Sequence, residues 1–401
     1  VENEENIQSL FNHEEQEVSK AIFLIAKYFK QYADLSTGEG KSFFINVLRM
    51  DGFLGNREFN GNMYQGSLLG LTKTLAKEWP DTFVRAIDIH SNCSTHETVK
   101  FILEELASGD TEYVEIGRDE RGVRGTLELK EKYEEIPAEK TPTPDDVFLV
   151  TGGARGVTAQ CVIALAKKYQ SKIILLGRSE LKDDIIFAKD VQSKEELQQL
   201  ILRNAKAEGK VLKPKEVNAA VKRLYSQLEV RRTIEAIQNV GSQVLYIPCD
   251  VKDSESVKLA IRQGEEAFGK ITGLIHGAGL LADKYIEKKT ATDFENIVGT
   301  KVWGLENCLN NLNLDKLKYT VLYSSIAAYF GNPGQADYAM GNEALNKFAY
   351  AFKKLYPKKM VMAINWGPWD GGMVDQTLKN AFLKNGIAVI PMETGINYFI
   401  D

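Results

Sequence analysis

From Val147 onward, short β-branched or apolar runs alternate with stretches of helical spacing: VFLVTGG, VTAQCVIALAKKY and KIILLGRSE, then QVLYIPCD, ITGLIHGAG, YTVLYSSI and VMAINWG. This alternation constrains the fold more than any other feature. Strands joined through helices run parallel, and a parallel sheet needs helices over both faces to bury its backbone and side chains. An α/β protein with a doubly wound parallel sheet is therefore expected. The 401 residues, 44% of them apolar, are enough to build its cores.

The stretch YEEIPAEKTPTPDD, rich in proline and charge and without apolar periodicity, reads as a linker. It divides the chain into residues 1–140 and 141–401. The first part resembles a worn copy of the end of the second: LTKTLAKEWPDTFVRAIDI (Leu71–Ile89) parallels FAYAFKKLYPKKMVMAINW (Phe348–Trp366) at a constant offset. The same offset sets Leu48, Gly61 and Gln65 where Ser325, Tyr338 and Asn342 stand. The copy keeps the scaffold and drops the polar groups, so residues 1–140 are read as a truncated, Rossmann-like structural subdomain. Between LLGRSE and SQVLYIPCD the chain is far longer than one crossover helix requires. The excess, about residues 181–228, is a helical insertion read as a solvated decoration or docking surface.

Composition excludes several function classes. A net charge of −5 without a long basic run gives no general attraction to nucleic acid or anionic lipid. No apolar run approaches the ~18 residues of a membrane span, and the acidic start VENEENIQSLFNHEEQE is no signal peptide. Cys93, Cys161, Cys249 and Cys308 are scattered, as are the histidines, which points to neither a disulfide framework nor a metal site. A reducing, cytoplasmic setting fits. The end at TGINYFID, inside a helix-like pattern, reads as the cut end of something longer.

VFLVTGGARGVTAQCVIALA is strand, glycine turn, helix. Glycines 152, 153 and 156 leave room for a pyrophosphate to reach the helix N-terminus, as in dinucleotide-binding Rossmann folds. The second strand ends in Gly177-Arg178-Ser179 rather than an acid, so a guanidinium is available for a 2′-phosphate, which favours NADPH over NADH. Asp250, in CDV, is placed to accept from the adenine amine, and the small residues of HGAG let backbone approach the ribose. The residues assigned to the cofactor are Thr151, Gly152, Gly153, Arg155, Gly156, Val157, Arg178, Ser179, Asp250, Val251, Gly277, Ala278 and Gly279. Arg155 either touches phosphate or faces water. His276 reads as a packed loop residue rather than a catalytic base.

In YSSIAAYFGNPGQADYAMGN, Ser325 ends a strand at its carboxyl edge, and Tyr338 and Asn342 lie four apart on one helix face. Reduction of a ketone leaves charge on oxygen, so it needs a proton donor and hydrogen bonds at that atom. A tyrosine with an ordinary pKa near 10 serves only if a cation lies nearby. In most short-chain dehydrogenases a lysine follows the tyrosine by four, where this chain has Asn342. Lys301 in GTKVWGLENCL, with Ser325, Tyr338 and Asn342, resembles the Lys, Ser, Tyr, Asn set of ketoreductase domains of polyketide and polyunsaturated-fatty-acid synthases. The truncated N-terminal part, the GGARGVTAQC turn, the insertion and NWGPWDGGMV extend that resemblance over nearly the whole chain.

The resemblance implies that Tyr338 protonates the carbonyl oxygen, Ser325 holds it, Lys301 lowers the tyrosine pKa through the nicotinamide ribose, and Asn342 keeps a water or the lysine in position. Ser324 and Lys347 are the bland alternatives. It also implies a β-ketoacyl thioester substrate on the phosphopantetheine arm of an acyl carrier protein, neighbouring synthase domains, and a fatty-acid or polyketide product. The family's stereochemical fingerprint is partly kept in Leu281-Ala282-Asp283 and Pro333, with Phe330 nearby; Ala282 departs from it. An R (D-configured) β-hydroxyl is expected. Thr158 replaces a third glycine of the turn. Trp366 and Met373 belong to a segment read as a lid, with glycine hinges and an apolar wall, although Trp369 fits a packed strand end equally well. A free-standing reductase of small ketones and a non-catalytic scaffold module stay open.

Overall fold

The computed structural model describes residues 10–33, 42–57, 63–131, 141–182, 188–371, 376–384 and 386–401. The chain packs into two compact units. One holds Val1–Thr141, Ala278–Glu306 and Lys318–Gly367; the other holds Pro142–Gly277, Asn307–Leu317 and Pro368–Asp401.

The first unit opens with helix α1 (His13–Ala33), strand β1 (Phe43–Leu48), α2 (Met63–Glu78), β2 (Phe83–Ile89), α3 (Thr95–Ala107), β3 (Glu115–Arg118) and the short β4 (Arg124–Gly125). Strands β1, β2 and β3 run parallel, with Phe43 opposite Phe83 and Leu48 opposite Asp88, and β4 returns antiparallel on β3. Ser94 caps α3 and Glu97 reaches back to the Ser94 amide, a capping box that marks this helix start in the sequence. Helix α2 is buried on nearly every side, Lys73 included, whose ammonium pairs with Glu115 at 3.0 Å.

The second unit contains β5 (Val147–Thr151), α4 (Gly156–Tyr169), β6 (Lys172–Gly177), α5 (Lys194–Ala207), α6 (Pro214–Asn239), β7 (Val244–Pro248), α7 (Ser254–Phe268) and β8 (Gly273–His276). The strands lie in the order β8-β5-β6-β7 and all pair parallel. Val147–Val150 and Ile173–Leu176 are buried without alternation, as parallel strands enclosed on both faces require. The insertion has a small core of its own, in which Leu197 and Ile201 of α5 meet Val217, Val221, Leu224 and Leu228 of α6. Helix α6 then serves as the crossover to β7, and Thr233 donates to the Ala154 carbonyl of the glycine turn at 2.9 Å.

The chain continues through α8 (Ala291–Asn311), β9 (Tyr319–Ser325), α9 (Ile326–Phe330), α10 (Ala336–Leu355) and β10 (Met360–Trp366). Strands β9 and β10 pair parallel, Tyr319 opposite Met360 and Ser325 opposite Trp366. Helices α11 (Gln376–Lys384) and α12 (Met392–Ile400) end it. None of the described helices is long and apolar enough to cross a membrane. The α/β architecture with parallel strands is the one expected from the alternation of runs.

The repeat seen in the sequence has a structural counterpart. Strand β2 covers Phe83–Ile89 as β10 covers Met360–Trp366, and β1 ends at Leu48 as β9 ends at Ser325, all at the same offset. Gly61, the position matching Tyr338, lies outside the described residues. The corresponding helices, α2 and α10, pack on each other. A Cβ at Gly70 would lie 2.5 Å from the Ala339 carbonyl oxygen, one residue past Tyr338, so the backbones approach too closely for any side chain. Gly70→Ala should gain about 1 kcal/mol of helix propensity yet lose more through this clash. The expected result is net destabilisation of roughly 1–3 kcal/mol, read from the denaturant midpoint.

Candidate active site

Strand β9 delivers Ser325 to its carboxyl end, where the extended backbone lets the hydroxyl accept the Ala327 amide and cap α9. The turn at 331–335 leads into α10, which carries Tyr338 and Asn342 one turn apart. Burial raises the Tyr338 pKa above its ordinary value, hydrogen bonding by Ser325 and by Asn342 pulls it down, and the Asp283 carboxylate pushes it up. The four groups therefore share one electrostatic neighbourhood. Asn342 is fully buried; its Nδ2 donates to the Tyr338 carbonyl at 2.8 Å, and its Oδ1 is an acceptor with no hydrogen-bond partner among the described residues.

Lys301 arrives from α8, also buried. Its Nζ donates to the Tyr323 carbonyl at 2.6 Å and lies 6.0 Å from the centre of the Tyr338 ring. Gly279 makes the space: a Cβ there would sit 3.1 Å from Lys301 Cε. Burial lowers the lysine pKa to about 7. Lys301, Ser325, Tyr338 and Asn342 are thus brought together by two helices and one strand end. The alternatives take structural places. Ser324 hydrogen-bonds the Asn342 carbonyl and Asn365 Oδ1, both at 3.1 Å, while Lys347 is buried in an ion pair with Glu343 at 3.2 Å.

In the second unit, Thr151 ends β5 and hydrogen-bonds His276 Nδ1 at 2.9 Å; His276 is fully buried and packed, but at the end of strand β8 rather than in a loop. Gly152 (φ +67°) and Gly156 (φ +64°) adopt left-handed backbone, and the Gly152 amide donates to the Leu176 carbonyl. Gly153 packs against Val150. Arg155 precedes α4 without capping it, and its guanidinium donates to Ser226 of α6 at 2.5 Å. The first turn of α4, with Val157, therefore receives no side-chain hydrogen bond from its N-cap residue. Arg178 is exposed and makes no ion pair among the described residues. The Ser179 carbonyl accepts from Tyr246, Asp250 accepts the Lys252 amide, and the Val251 carbonyl accepts from Asn307. Thr158 packs where a Cβ on Gly277 would meet it at 2.7 Å, so its extra bulk is matched by that glycine. Ala278 is buried in the first unit, next to Gly279. The left-handed glycines, the uncapped helix start and the unpaired arginine suit a dinucleotide.

Of the residues tied to substrate, Asp283 is exposed and accepts from Gln335 Nε2 at 3.0 Å; Pro333 and Phe330 are exposed nearby in sequence. Trp366 ends β10 opposite Ser325, its ring 5.9 Å from that of Tyr323. Met373 lies outside the described residues. Trp369 is buried, bridging to Ile390 with Gly395 close against its ring, which is the packed strand end rather than a free wall.

Sequence reasoning passed over one buried pair beside the tyrosine. Lys289 Nζ and Asp337 Oδ1 are 2.6 Å apart and fully enclosed, and the same oxygen accepts the Tyr338 amide at 2.9 Å. Burial raises the Asp337 pKa, with Lys289 pulling it back. The available signal was an aspartate at an apolar-stripe position of α10, in line with Gly341, Ala344 and Phe348.

Residues 147–371 match the family model of the KR domain. The chain is similar to a polyunsaturated fatty acid synthase polypeptide of Thraustochytrium sp., 36% identical over 388 residues, which is 93% of this chain and 14% of that protein. It is also similar to the polyketide synthase PksL of Bacillus subtilis, 26% identical over 336 residues, 82% of this chain and 6% of that one. The chain therefore spans a small part of the curated relatives it matches. Among solved structures, a ketoreductase domain from the bacillaene assembly line shares the fold with a TM-score of 0.71 at 21% identity, covering 96% of this chain and 80% of that one. An A-type ketoreductase from a modular polyketide synthase does so with a TM-score of 0.70 at 19% identity, covering 94% and 69%. The chain belongs to the KR-domain family, the nicotinamide-dependent ketoreductases of polyketide and polyunsaturated fatty acid synthases.

Proposed function

We propose that the chain uses NADPH to reduce the β-keto group of a β-ketoacyl thioester, carried on the phosphopantetheine arm of an acyl carrier protein, to the R (D-configured) β-hydroxyacyl thioester. The observation that carries this reading is the closed group of Lys301, Ser325, Tyr338 and Asn342, in which a phenol, a hydroxyl and a buried lysine lie within one neighbourhood. When bound, the reduced nicotinamide supplies the hydride. Ser325 donates a hydrogen bond to the ketone oxygen, and Tyr338 gives it a proton as charge develops there. The tyrosinate left behind is stabilised by Lys301 and by the Asn342 amide, and recovers its proton from solvent. The unpartnered Asn342 Oδ1 is an acceptor suited to hold a water or the lysine ammonium. Thr151 to Val157 would hold the pyrophosphate, Arg178 and Ser179 the 2′-phosphate, Asp250 and Val251 the adenine, and Gly277 to Gly279 the ribose. In this reading residues 1–140 brace the catalytic part, the neighbours are other synthase domains, and the setting is cytoplasmic.

With an acetoacetyl thioester and NADPH, Tyr338→Phe should lower kcat by at least roughly a hundredfold, as loss of a positioned acid does, and Ser325→Ala by roughly a hundredfold through loss of one donor to the oxygen. Turnover equal to wild type in both would remove them from the mechanism. Arg178→Ala should weaken NADPH about tenfold while leaving NADH unchanged, the effect of one charge-assisted hydrogen bond; an equal effect on both cofactors would reject the phosphate role.

Lys301 also links function to stability. Its folded pKa of about 7 lies below the ordinary lysine value of 10.5, so below pH 7 both states are protonated and the buried ammonium costs its full penalty. As pH rises from about 7 to about 10.5 only the unfolded chain stays protonated, and stability increases. Lys301→Met should therefore be inactive yet more stable than wild type at pH 6, by roughly 1–4 kcal/mol, with the gap narrowing by pH 9. Thermal melts of the cofactor-free chain at the two pH values measure this.

A further inference from the structure

Helix α2 grips the turn that precedes the tyrosine with three side chains of its last turn. Thr74 Oγ1 accepts the Asn332 amide at 3.4 Å, Lys77 Nζ donates to the Gly331 carbonyl at 3.1 Å, and Glu78 Oε1 accepts the Gly334 amide at 2.7 Å. The second carboxylate oxygen of Glu78 is used elsewhere: Oε2 accepts the Ile286 amide at 2.9 Å. Glu78 is buried, and its burial raises its pKa while these two backbone bonds pull it down. One carboxylate thus ties together two segments far apart in sequence, 278–288 and 331–335.

Those two segments carry Asp283 and Pro333, the residues tied by the family resemblance to the stereochemical outcome. Gly334 returns its carbonyl to the Lys284 amide at 2.9 Å, and Gln335 Nε2 donates to Asp283 at 3.0 Å. At the other end of the 281–286 loop, Lys289 Nζ donates to the Ala282 carbonyl at 2.7 Å while paired with Asp337, the residue before Tyr338. The loop bearing Asp283 and the helix start bearing Tyr338 are therefore locked to each other at two anchors. Gly334, in left-handed backbone (φ +83°), can present its amide to Glu78 because it has no Cβ.

Resting on the ketoreductase reading, we propose that Glu78 is a positioning residue for stereocontrol: by clamping the Gly334 and Ile286 amides it fixes the Asp283 loop against Tyr338, and so sets which face of the ketone would be turned to the hydride donor while its oxygen meets Tyr338. Two acceptor oxygens are required for this. A glutamine has the same shape but one acceptor, and its NH2 group would confront one of the two amides.

The test is the enantiomer ratio of 3-hydroxybutyryl product, by chiral chromatography, with kcat and KM for wild type, Glu78→Gln and Gln335→Ala. Glu78→Gln should keep its Tm within about 5 °C, give a mixture of both enantiomers, and lose roughly tenfold in kcat, as a small misplacement of reacting groups does. Unchanged enantiomer ratio and kcat in a folded Glu78→Gln would overturn the proposal, as would a fall in Tm and rate with the ratio intact, which marks a brace alone. Should Glu78→Gln not fold, Gln335→Ala decides: a mixed product at unchanged Tm supports the tie, and a single product refutes it. Wild type that reduces only free ketones would defeat the carrier-substrate reading but leave Glu78 to be judged by the same ratio on ethyl acetoacetate. Wild type that reduces no ketone defeats both.

Discussion

The close approach of α2 and α10 is the constraint on which the proposed catalytic group rests. Helix α10 carries Tyr338 and Asn342, and its backbone at Ala339 touches α2 at Gly70 with no space for a methyl group. Interiors packed at crystal-like density transmit any misfit, so the position of the phenol along α10 is decided by a helix that carries none of the proposed chemistry. The repeat explains the arrangement physically. Two helices with matching apolar faces meet, and only one keeps the polar residues; at the position matching Asn342, Gln65 spends its amide on Glu15 and the Arg49 backbone, and Leu48, matching Ser325, is simply buried.

Around α10 the charges are buried and each is answered locally. Lys301 meets a backbone carbonyl, Lys289 meets Asp337, Lys347 meets Glu343, and Glu78 meets two amides. Buried ions of this kind contribute little net stability compared with apolar packing, but each holds a backbone segment in one place. They act on the loop after β8, on α8 and α10, and on the turn between β9 and α10, which are the segments that must be mutually fixed if a proton is to move between a phenol and a substrate oxygen. Lys301 stands apart from the other lysines in meeting a neutral carbonyl rather than a carboxylate, and its burial drives its pKa down toward neutrality.

The second unit places different physics around its glycine turn. Buried strands β5 and β6 bring Gly152 and Arg178 to neighbouring strand ends, and the N-cap of α4, Arg155, makes no side-chain cap to it. Helix α6 also reaches this turn, through Ser226 of the insertion with Arg155 and, beyond the insertion, Thr233 with Ala154. A segment read from sequence as a solvated decoration or docking surface therefore hydrogen-bonds the glycine turn, because α6 is both the far wall of the insertion and the crossover helix of the sheet.

What the amino-acid order determined by itself is local or periodic: the strand-helix alternation, the glycine turn, the repeat between Leu71–Ile89 and Phe348–Trp366, and the four-residue spacing of Tyr338 and Asn342 on one helix face. These depend on neighbours in the chain, so pattern suffices to read them. Lys301 could be singled out only through resemblance to a known family, since nothing in its own neighbours distinguishes it from a surface lysine. Glu78, Lys289 and Asp337 escaped altogether. Each is an ordinary charged residue by type, and the meeting of Glu78 with Gly334 and of Lys289 with Asp337 arises only when segments far apart in sequence pack together. Tertiary packing alone decides which charges lose water and which partners then satisfy them, because desolvation is a property of the folded surroundings and not of the residue.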